Sequence, residues 1–355
     1  MKGCVEGFID YHFASNHNIS AVVWDNIQHA MACGQIQMDQ QLSKAEKIQW
    51  ALATEQVERK YARQKAVIAK LSGFFAEHGI KMMILKGYGL SLNYPVPNHR
   101  PCSDVDIWLF EERQTSDGKT EKHSAQQKAD NLLREHFNIE IDEDKHHHTV
   151  FYVDGVMVEN HFDFLNLHAH RSSREIEREL LKRTEEHSDE IGIGDSVVYM
   201  PPSNLHALFL LRHSASHFAA EKIVLRHICD WAMFLKHNAS NIDWKWLYDV
   251  CRTQNMDRFL DALNGYAVDY FNIDSRLLPN FARRNDLEQR ILNDILQPEF
   301  CEPKPEKGLI RIILFKYRRW WANRWKHRLV YREGLLHSFV TQAWSHILKP
   351  KAIKS

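Results

Sequence analysis

Residues 79–110 read GIKMMILKGYGLSLNYPVPNHRPCSDVDIWLF, and this stretch decides the predicted fold. It contains two short apolar runs, 80–85 and 104–110, joined by a proline-rich loop. Runs of this length, bounded by glycine and proline, are typical of buried strands rather than helices. The stretch therefore predicts two strands of one sheet.

The flanking sequence predicts a long helix before these strands and a hairpin after them. Ser43 and Glu46 have the spacing of a capping box, and apolar residues then recur every three or four positions as far as about residue 78. Asp154-Gly155 separates two β-rich runs, 149–153 and 156–162, which is a strong hairpin signal. Further patterns predict a strand at 196–200 and helices at 124–137, 204–220, 222–237, 243–252, 256–271, 285–296 and 307–327.

This order of elements predicts an α+β protein in which a small mixed sheet lies between helical regions. We divide the chain into a helical N-terminal region at 1–78, a core containing the sheet at 79–200, and a helical C-terminal domain at 201–355 with a basic aromatic tail. A length of 355 residues suits roughly two domains.

Composition excludes several classes of protein. Apolar residues make up 44% and charged residues 26%, so wholesale disorder is excluded. Lys and Arg together number 46, as do Asp and Glu. This balance argues against a protein whose whole surface is basic and binds nucleic acid. The six cysteines include no Cys-x-x-Cys pair, and no apolar run is long enough to span a membrane. We expect a cytoplasmic protein.

The second strand carries the first candidate chemistry. Because side chains alternate along a strand, Asp104 and Asp106 share one face, roughly 7 Å apart at their Cα atoms. Two carboxylates so placed suit a hard divalent cation such as Mg²⁺, although an acid-x-acid pair alone is weak evidence. Asp142 and Asp144 form another such pair, which we interpret as solvated loop charge.

Neighbouring residues strengthen this interpretation. The first strand ends at Lys86-Gly87, where a glycine lets backbone N–H groups approach a phosphate and a lysine meets its charge. Arg100 precedes the acids by four residues. Glu159, on the second arm of the hairpin, is placed to join them if that arm pairs beside the Asp strand.

These residues in this order resemble a known family. Leu85-Lys86-Gly87, Tyr94-Pro95-x-Pro97, Arg100-x-x-x-Asp104-x-Asp106-Ile107 and Val158-Glu159-x-His161 are similar to the signature of the uncharacterised bacterial nucleotidyltransferases of the DNA polymerase β-like superfamily. In the helices that follow, His213 and Arg226-x-x-x-Asp230 resemble further positions of the family.

The resemblance implies a polymerase β-like core and a Mg²⁺-dependent reaction. Asp104, Asp106 and Glu159 would hold two Mg²⁺ ions, while Lys86, Gly87 and Arg100 would bind the phosphates of a nucleoside triphosphate. A nucleoside monophosphate would pass to an unidentified acceptor, which is a sugar, protein, lipid or RNA, with release of pyrophosphate. His161, His213, Arg226 and Asp230 would contact substrate or support the acids.

The histidines and the basic tail each leave two interpretations open. The 22 histidines include the run 146–148, which suits a metal site but more simply a polar loop, and His213 and His217, one helical turn apart, which suit either an ion or packing. Residues 304–332 hold ten Lys or Arg among aromatic residues, which suits a packed helix or contact with a membrane or an anionic partner.

Two rival functions remain at this point. The first is a catalytically silent module that binds nucleotide or a partner. The second is a histidine-based metallohydrolase, in which zinc and His213 would replace the acids.

Overall fold

The computed structural model describes residues 10–33, 42–111, 124–145, 147–168 and 170–335. Within these ranges the chain forms two compact units, one from residues 2–163 and 186–202 and one from residues 164–185 and 203 onwards.

The first unit is a six-stranded mixed sheet with helices. Its strands are β1 (Lys81–Ile84), β2 (Val105–Phe110), β3 (His148–Val153), β4 (Val156–His161), β5 (Glu190–Ile193) and β6 (Ser196–Tyr199), in the spatial order β3-β4-β2-β1-β6-β5. Its helices are α1 (Tyr11–Asn16), α2 (Ser20–Ala32), α3 (Lys44–Glu77), α4 (Tyr88–Ser91) and α5 (Ser124–Phe137). The pairs β2–β4 and β1–β6 are parallel, and the other neighbours are antiparallel.

One face of this sheet carries the core of the unit. Ile107 on β2 lies in a single apolar cluster with Phe75 on α3 and Leu133 on α5, and all three side chains are fully buried. Each such side chain contributes about 1.5–3 kcal/mol of transfer free energy. Because side chains alternate, Asp106 on β2 faces the opposite side of the sheet. The helices therefore pack against one face of the sheet, and Asp106 lies on the other face.

The local signals explain how these elements begin and turn. The Ser43 hydroxyl accepts a hydrogen bond from the backbone N–H of Glu46, and the Glu46 carboxylate accepts one from the backbone N–H of Ser43, so the predicted capping box is confirmed. Asp154 and Gly155 have φ of 50° and 76°, which a tight hairpin turn requires. The predicted hairpin is therefore confirmed.

The second unit is helical. It contains α6 (Arg171–Arg183), α7 (Ser203–Ala220), α8 (Leu225–Asn238), α9 (Trp244–Thr253), α10 (Asp257–Phe271), α11 (Asn285–Leu296) and α12 (Leu309–Val330). Six of these helices were predicted with similar bounds. Helix α6, like strand β5 of the first unit, was not predicted, because neither presents a continuous apolar pattern. Among the described residues, no helix has the length and apolar content needed to cross a membrane.

Candidate active site

Two neighbouring strands place an aspartate and a glutamate side by side. In the parallel pairing of β2 with β4, Asp106 stands opposite Glu159 and Trp108 stands opposite His161. Oxygen atoms of Asp106 and Glu159 and a ring nitrogen of His161 all lie within 4.8 Å of one another. The hairpin arm therefore pairs beside the Asp strand and brings Glu159 to it, which is the condition that the sequence analysis set for Glu159.

Asp106 is the centre of this group. Its side chain is fully buried, and its Oδ1 accepts from Lys86 Nζ at 2.9 Å and from His161 Nε2 at 3.1 Å. The other oxygen, Oδ2, is buried and makes no hydrogen bond. Burying a carboxylate oxygen without a hydrogen-bond donor costs free energy. Binding a cation at Oδ2 would offset that cost.

The cations around Asp106 offset the effect of burial on the pKa of its carboxyl group. Burial alone would raise the pKa of Asp106, but the Lys86 ammonium and the hydrogen bond from His161 outweigh it and hold that pKa below its ordinary value. Burial likewise opposes the charge on Lys86 and His161, yet the nearby carboxylates raise the pKa of both groups. These contacts therefore favour an ionised Asp106 beside a protonated Lys86 and a protonated His161.

Asp104 lies immediately before β2 and is only partly buried. Its Oδ1 accepts a hydrogen bond from the Ser103 hydroxyl at 2.8 Å. Burial and then the charge of Asp106 raise its pKa. Among the described residues, the close group of donor atoms contains Asp106, Glu159 and His161 but not Asp104. The structure thus places Asp104 at the edge of the group rather than within it.

The turn after β1 is held by backbone contacts. Gly87 has a φ of +58°, and a Cβ at this position would lie 3.2 Å from the backbone oxygen of Asp104. The carbonyl of Gly87 accepts from Nη1 of Arg100 at 3.0 Å, and the guanidinium is buried with a second bond to the carbonyl of Pro101. Arg100 therefore supports the shape of the Lys86-Gly87 turn.

Two histidines reach this group, although the sequence favoured a polar loop over a metal site for them. His148 pairs with His161 across the hairpin, and its Nε2 lies 3.7 Å from Oε1 of Glu159. The ring of His147 stacks edge-on against that of His148 at 4.4 Å between centroids. Counting outward from the Asp154-Gly155 turn would have given this register. His146 lies outside the described residues.

The other predicted positions belong to the second unit. His213 lies on α7, and Arg226 and Asp230 lie on α8. The rings of His213 and His217 are 4.5 Å apart at their centroids. These side chains are not among the groups of donor atoms found in the described part of the chain. Their roles stay predictions.

The residues of the first unit fit a divalent cation. Carboxylate oxygens are the ligands that Mg²⁺ prefers, and Asp106 and Glu159 offer them at close range. The open Oδ2 of Asp106 gives such an ion a buried partner. Lys86 supplies the compensating charge in the structure described here.

Comparison with known proteins gives a family and one distant structural likeness. Residues 11–272 match the family described as uncharacterised nucleotidyltransferase. A search of curated proteins finds no match. The crystal structure of an antigenic nucleotidyltransferase-like protein from Paracoccidioides brasiliensis is 17% identical and covers 49% of this chain and 75% of that chain, with a TM-score of 0.33. The family match spans more than half of the chain and includes β1, β2 with Asp106 and β4 with Glu159, so this protein belongs to the family of uncharacterised nucleotidyltransferases.

Proposed function

We propose that this protein is a Mg²⁺-dependent enzyme that transfers a nucleoside monophosphate from a nucleoside triphosphate to an acceptor and releases pyrophosphate. The observation that carries the proposal is the pairing of Asp106 with Glu159 on adjacent strands, within the region that matches the family. Under this proposal the core is a polymerase β-like one, and the reaction takes place in the cytoplasm, where nucleoside triphosphates are available.

Asp104, Asp106 and Glu159 are the residues that would hold two Mg²⁺ ions. Such ions, when bound, stabilise the charge on the attacking and leaving oxygens of a phosphoryl group. Asp104 is near enough to Asp106 for the charge of one to raise the pKa of the other. That electrostatic proximity supports including Asp104 in the set.

Lys86 and the turn that follows it are assigned to the triphosphate. The Lys86 side chain is largely buried and its raised pKa keeps it cationic. With Asp106 holding a divalent ion, the Lys86 ammonium would be available to bind the phosphates. Gly87 permits close backbone approach, and Arg100 positions that turn through its bond to the Gly87 carbonyl.

His161 is assigned a supporting role. Its Nδ1 donates to the backbone oxygen of Asp163 at 3.3 Å, which directs Nε2 toward Asp106. His213, Arg226 and Asp230 are proposed to serve the acceptor, which is a sugar, protein, lipid or RNA.

The test is transfer of label from nucleoside triphosphates labelled at the α-phosphate. Purified protein, Mg²⁺ and cell extract as the acceptor pool should yield a labelled product and pyrophosphate. Asp106→Asn should abolish both signals. The matched control is the double variant Asp142→Asn with Asp144→Asn, which removes the other acid-x-acid pair and should keep full activity. Transfer that survives Asp106→Asn would overturn the proposal.

A catalytically silent nucleotide-binding module is the second candidate. The observation that favours it is the Lys86–Asp106 contact at 2.9 Å, which already neutralises the carboxylate that an ion needs. In that case a triphosphate with Mg²⁺ would raise the melting temperature, but no acceptor pool would yield pyrophosphate.

A further inference from the structure

Three imidazole rings meet at the end of the β3–β4 hairpin opposite its turn. The ring centroids of His147 and His148 are 4.4 Å apart, and His161 lies 5.5 Å from the first and 5.1 Å from the second. One ring nitrogen from each residue lies within 4.8 Å of the other two. His161 also belongs to the acid group described above, and His148 approaches Glu159 of that group at 3.7 Å.

Backbone hydrogen bonds fix the three residues in place. His148 and His161 are partners in the antiparallel pairing of β3 with β4. The backbone oxygen of His147 accepts from the backbone N–H groups of Phe162 and Asp163, both at 3.1 Å. The cluster is thus built into the sheet.

Two of the three side chains are buried, and two of the rings are incompletely hydrogen-bonded. His148 is 8% exposed and His161 2%. Nδ1 of His147 and Nδ1 of His148 are both buried without a hydrogen-bond partner. Each such atom costs about as much as a lost hydrogen bond, unless a ligand satisfies it.

The contacts of His161 orient its ring as well. Its Nδ1 lies 3.3 Å from the backbone oxygen of Asp163, and its Nε2 lies 3.1 Å from Oδ1 of Asp106. A metal-bound histidine commonly donates Nδ1–H to a backbone carbonyl and ligates through Nε2. At His161, a metal ion would replace the Nε2 hydrogen bond to Asp106 and release the Nε2 proton.

We propose that His147, His148 and His161 form a binding site for a transition metal ion of the Zn²⁺ type. Imidazole nitrogen suits zinc, whereas the carboxylate oxygens beside it suit Mg²⁺, so this site is chemically different from the one in the proposed function. Its existence does not depend on nucleotidyl transfer.

The test is metal binding by the full-length protein after removal of metal with a chelator. Co²⁺ replaces zinc and gives visible absorption bands when its coordination is tetrahedral. We expect such bands in the wild type, loss of the bands on adding Zn²⁺, and no loss with excess Mg²⁺. In His147→Gln with His148→Gln, the affinity for Co²⁺ should fall about 100-fold or more.

Two further variants locate the site. His187→Gln with His237→Gln removes two exposed histidines and should leave the bands unchanged. Bands that persist in the 147/148 variant, or that vanish in His213→Gln with His217→Gln instead, would overturn the proposal. If the 147/148 variant does not fold, His147→Gln alone is measured, because this ring is the less buried of the two.

A second inference concerns the surface of α12. Ile310, Ile313, Leu314, Tyr317 and Trp321 are 46–74% exposed. Their spacing of three and four residues places them along one side of the helix. Phe315, Asn323 and Lys326 on the other side are buried. The helix is therefore packed through one face and presents an apolar stripe on the other.

Cationic side chains accompany this stripe. Arg311, Arg318, Arg324 and Arg328 are exposed on the same helix. Arg324 also lies over the Trp321 ring at 4.8 Å. Residues 304–332 contain ten Lys or Arg and one acid, Glu306. An exposed apolar stripe with tryptophan and basic neighbours matches the surface of a bilayer that contains anionic lipid.

We propose that α12 binds an anionic membrane surface with its exposed stripe. Vesicles of phosphatidylcholine with about 30% phosphatidylserine should sediment the protein, whereas phosphatidylcholine alone should not. Ile310→Ser with Leu314→Ser should weaken sedimentation about tenfold. The matched control, Ile48→Ser with Leu52→Ser, changes two comparably exposed apolar residues on α3 and should have no effect.

Two results would contradict the membrane proposal. One is sedimentation that does not depend on phosphatidylserine or on Ile310 and Leu314. The other is a concentration-dependent dimer, measured by analytical ultracentrifugation, that Ile310→Ser with Leu314→Ser dissociates, because the stripe would then bind a second copy of the chain.

Discussion

Lys86 in the sheet unit and Lys326 in the helical unit are both held against a carboxylate, yet their pKa values move in opposite directions. Lys86 Nζ lies 2.9 Å from Oδ1 of Asp106, and Lys326 Nζ lies 2.5 Å from Oδ2 of Asp294. Burial lowers the pKa of Lys326 more than Asp294 raises it. For Lys86, the carboxylates of Asp106, Asp104 and Glu159 together outweigh burial and raise the pKa.

The difference distinguishes a structural ion pair from a site. Lys326 and Asp294 form a balanced pair, and such a pair serves the packing of the helices around it. Lys86 faces more negative charge than it can neutralise. The surplus carboxylates create a potential that attracts further cations, as the proposed binding of Mg²⁺ requires.

The largest expected effect comes from Asp106→Asn on activity. Nucleotidyl transfer should fall by about 10³-fold, because the variant removes a central charge from the ion-binding group. The measurement is initial rate of label transfer at saturating Mg²⁺. Asp294→Asn should leave the rate of the folded protein unchanged, and a comparable loss in that variant would remove the distinction between the two lysines.

The effects of these two variants on the free energy of unfolding should have the reverse order, with the larger loss in Asp294→Asn. Asp294→Asn leaves Lys326 buried without its partner and should lower the free energy of unfolding by about 3–5 kcal/mol. Asp106→Asn should cost less, because Lys86 keeps Asp104 and Glu159 as neighbours and the acids repel one another less. Urea denaturation of both variants measures the difference. Equal losses would mean that Asp106 also forms a balanced pair.

Most strands of the sheet could be predicted from the sequence, but not every residue of the candidate site. Alternation along residues 104–110 predicted which face Asp106 occupies, and the Asp154-Gly155 turn predicted the hairpin. Strand β5, with the sequence EIGI and an exposed edge, lacks the apolar run by which buried strands are recognised. Sequence methods fail there because exposure removes the hydrophobic constraint.

The histidines show a second limit. For His147 and His148 the sequence favoured a polar loop over a metal site, because the sequence alone does not say how far a hairpin extends from its turn. Pairing continues to His148 and His161, at the far end of both strands. Arg100 shows the same limit, because burial against the Gly87 carbonyl depends on the folded path of the loop.

Gly87→Ala should have a smaller effect on nucleotidyl transfer than Asp106→Asn, and Gly79→Ala is its matched control. Both glycines have positive φ, so alanine should cost about 1–2 kcal/mol of stability at either position. Only at Gly87 would the new Cβ crowd the backbone of Asp104, at 3.2 Å. Activity should therefore fall in Gly87→Ala alone, measured as label transfer. Equal activity in both variants would show that the turn is not part of the site.

The smallest expected effect is on the pH dependence of stability, and it comes from His99 in the loop that precedes Asp104 and Asp106. His99 bonds to Asp25 at 2.7 Å and to Glu58 at 2.8 Å, and although burial opposes its charge, these carboxylates raise its pKa. A raised pKa in the folded state means that the stabilisation is complete below the ordinary pKa of about 6.5 and is lost as pH rises through the folded value.

His99→Gln should therefore lower stability by roughly 1 kcal/mol at pH 6 and by less at high pH. Urea midpoints across this pH range measure the change. His187→Gln, which removes an exposed histidine, should leave the profile unaltered. A pH profile of His99→Gln parallel to that of the wild type would show that His99 does not supply this linkage.

The most direct measurement is binding of Mn²⁺, which replaces Mg²⁺ at oxygen ligands, followed by electron paramagnetic resonance with a nucleoside triphosphate present. If the surplus carboxylate charge around Lys86 binds the cation, the wild type and the double variant Asp142→Asn with Asp144→Asn should bind Mn²⁺ equally well. Asp106→Asn should not bind it. Equal binding by the wild type and Asp106→Asn would contradict the assignment of this group as the cation site.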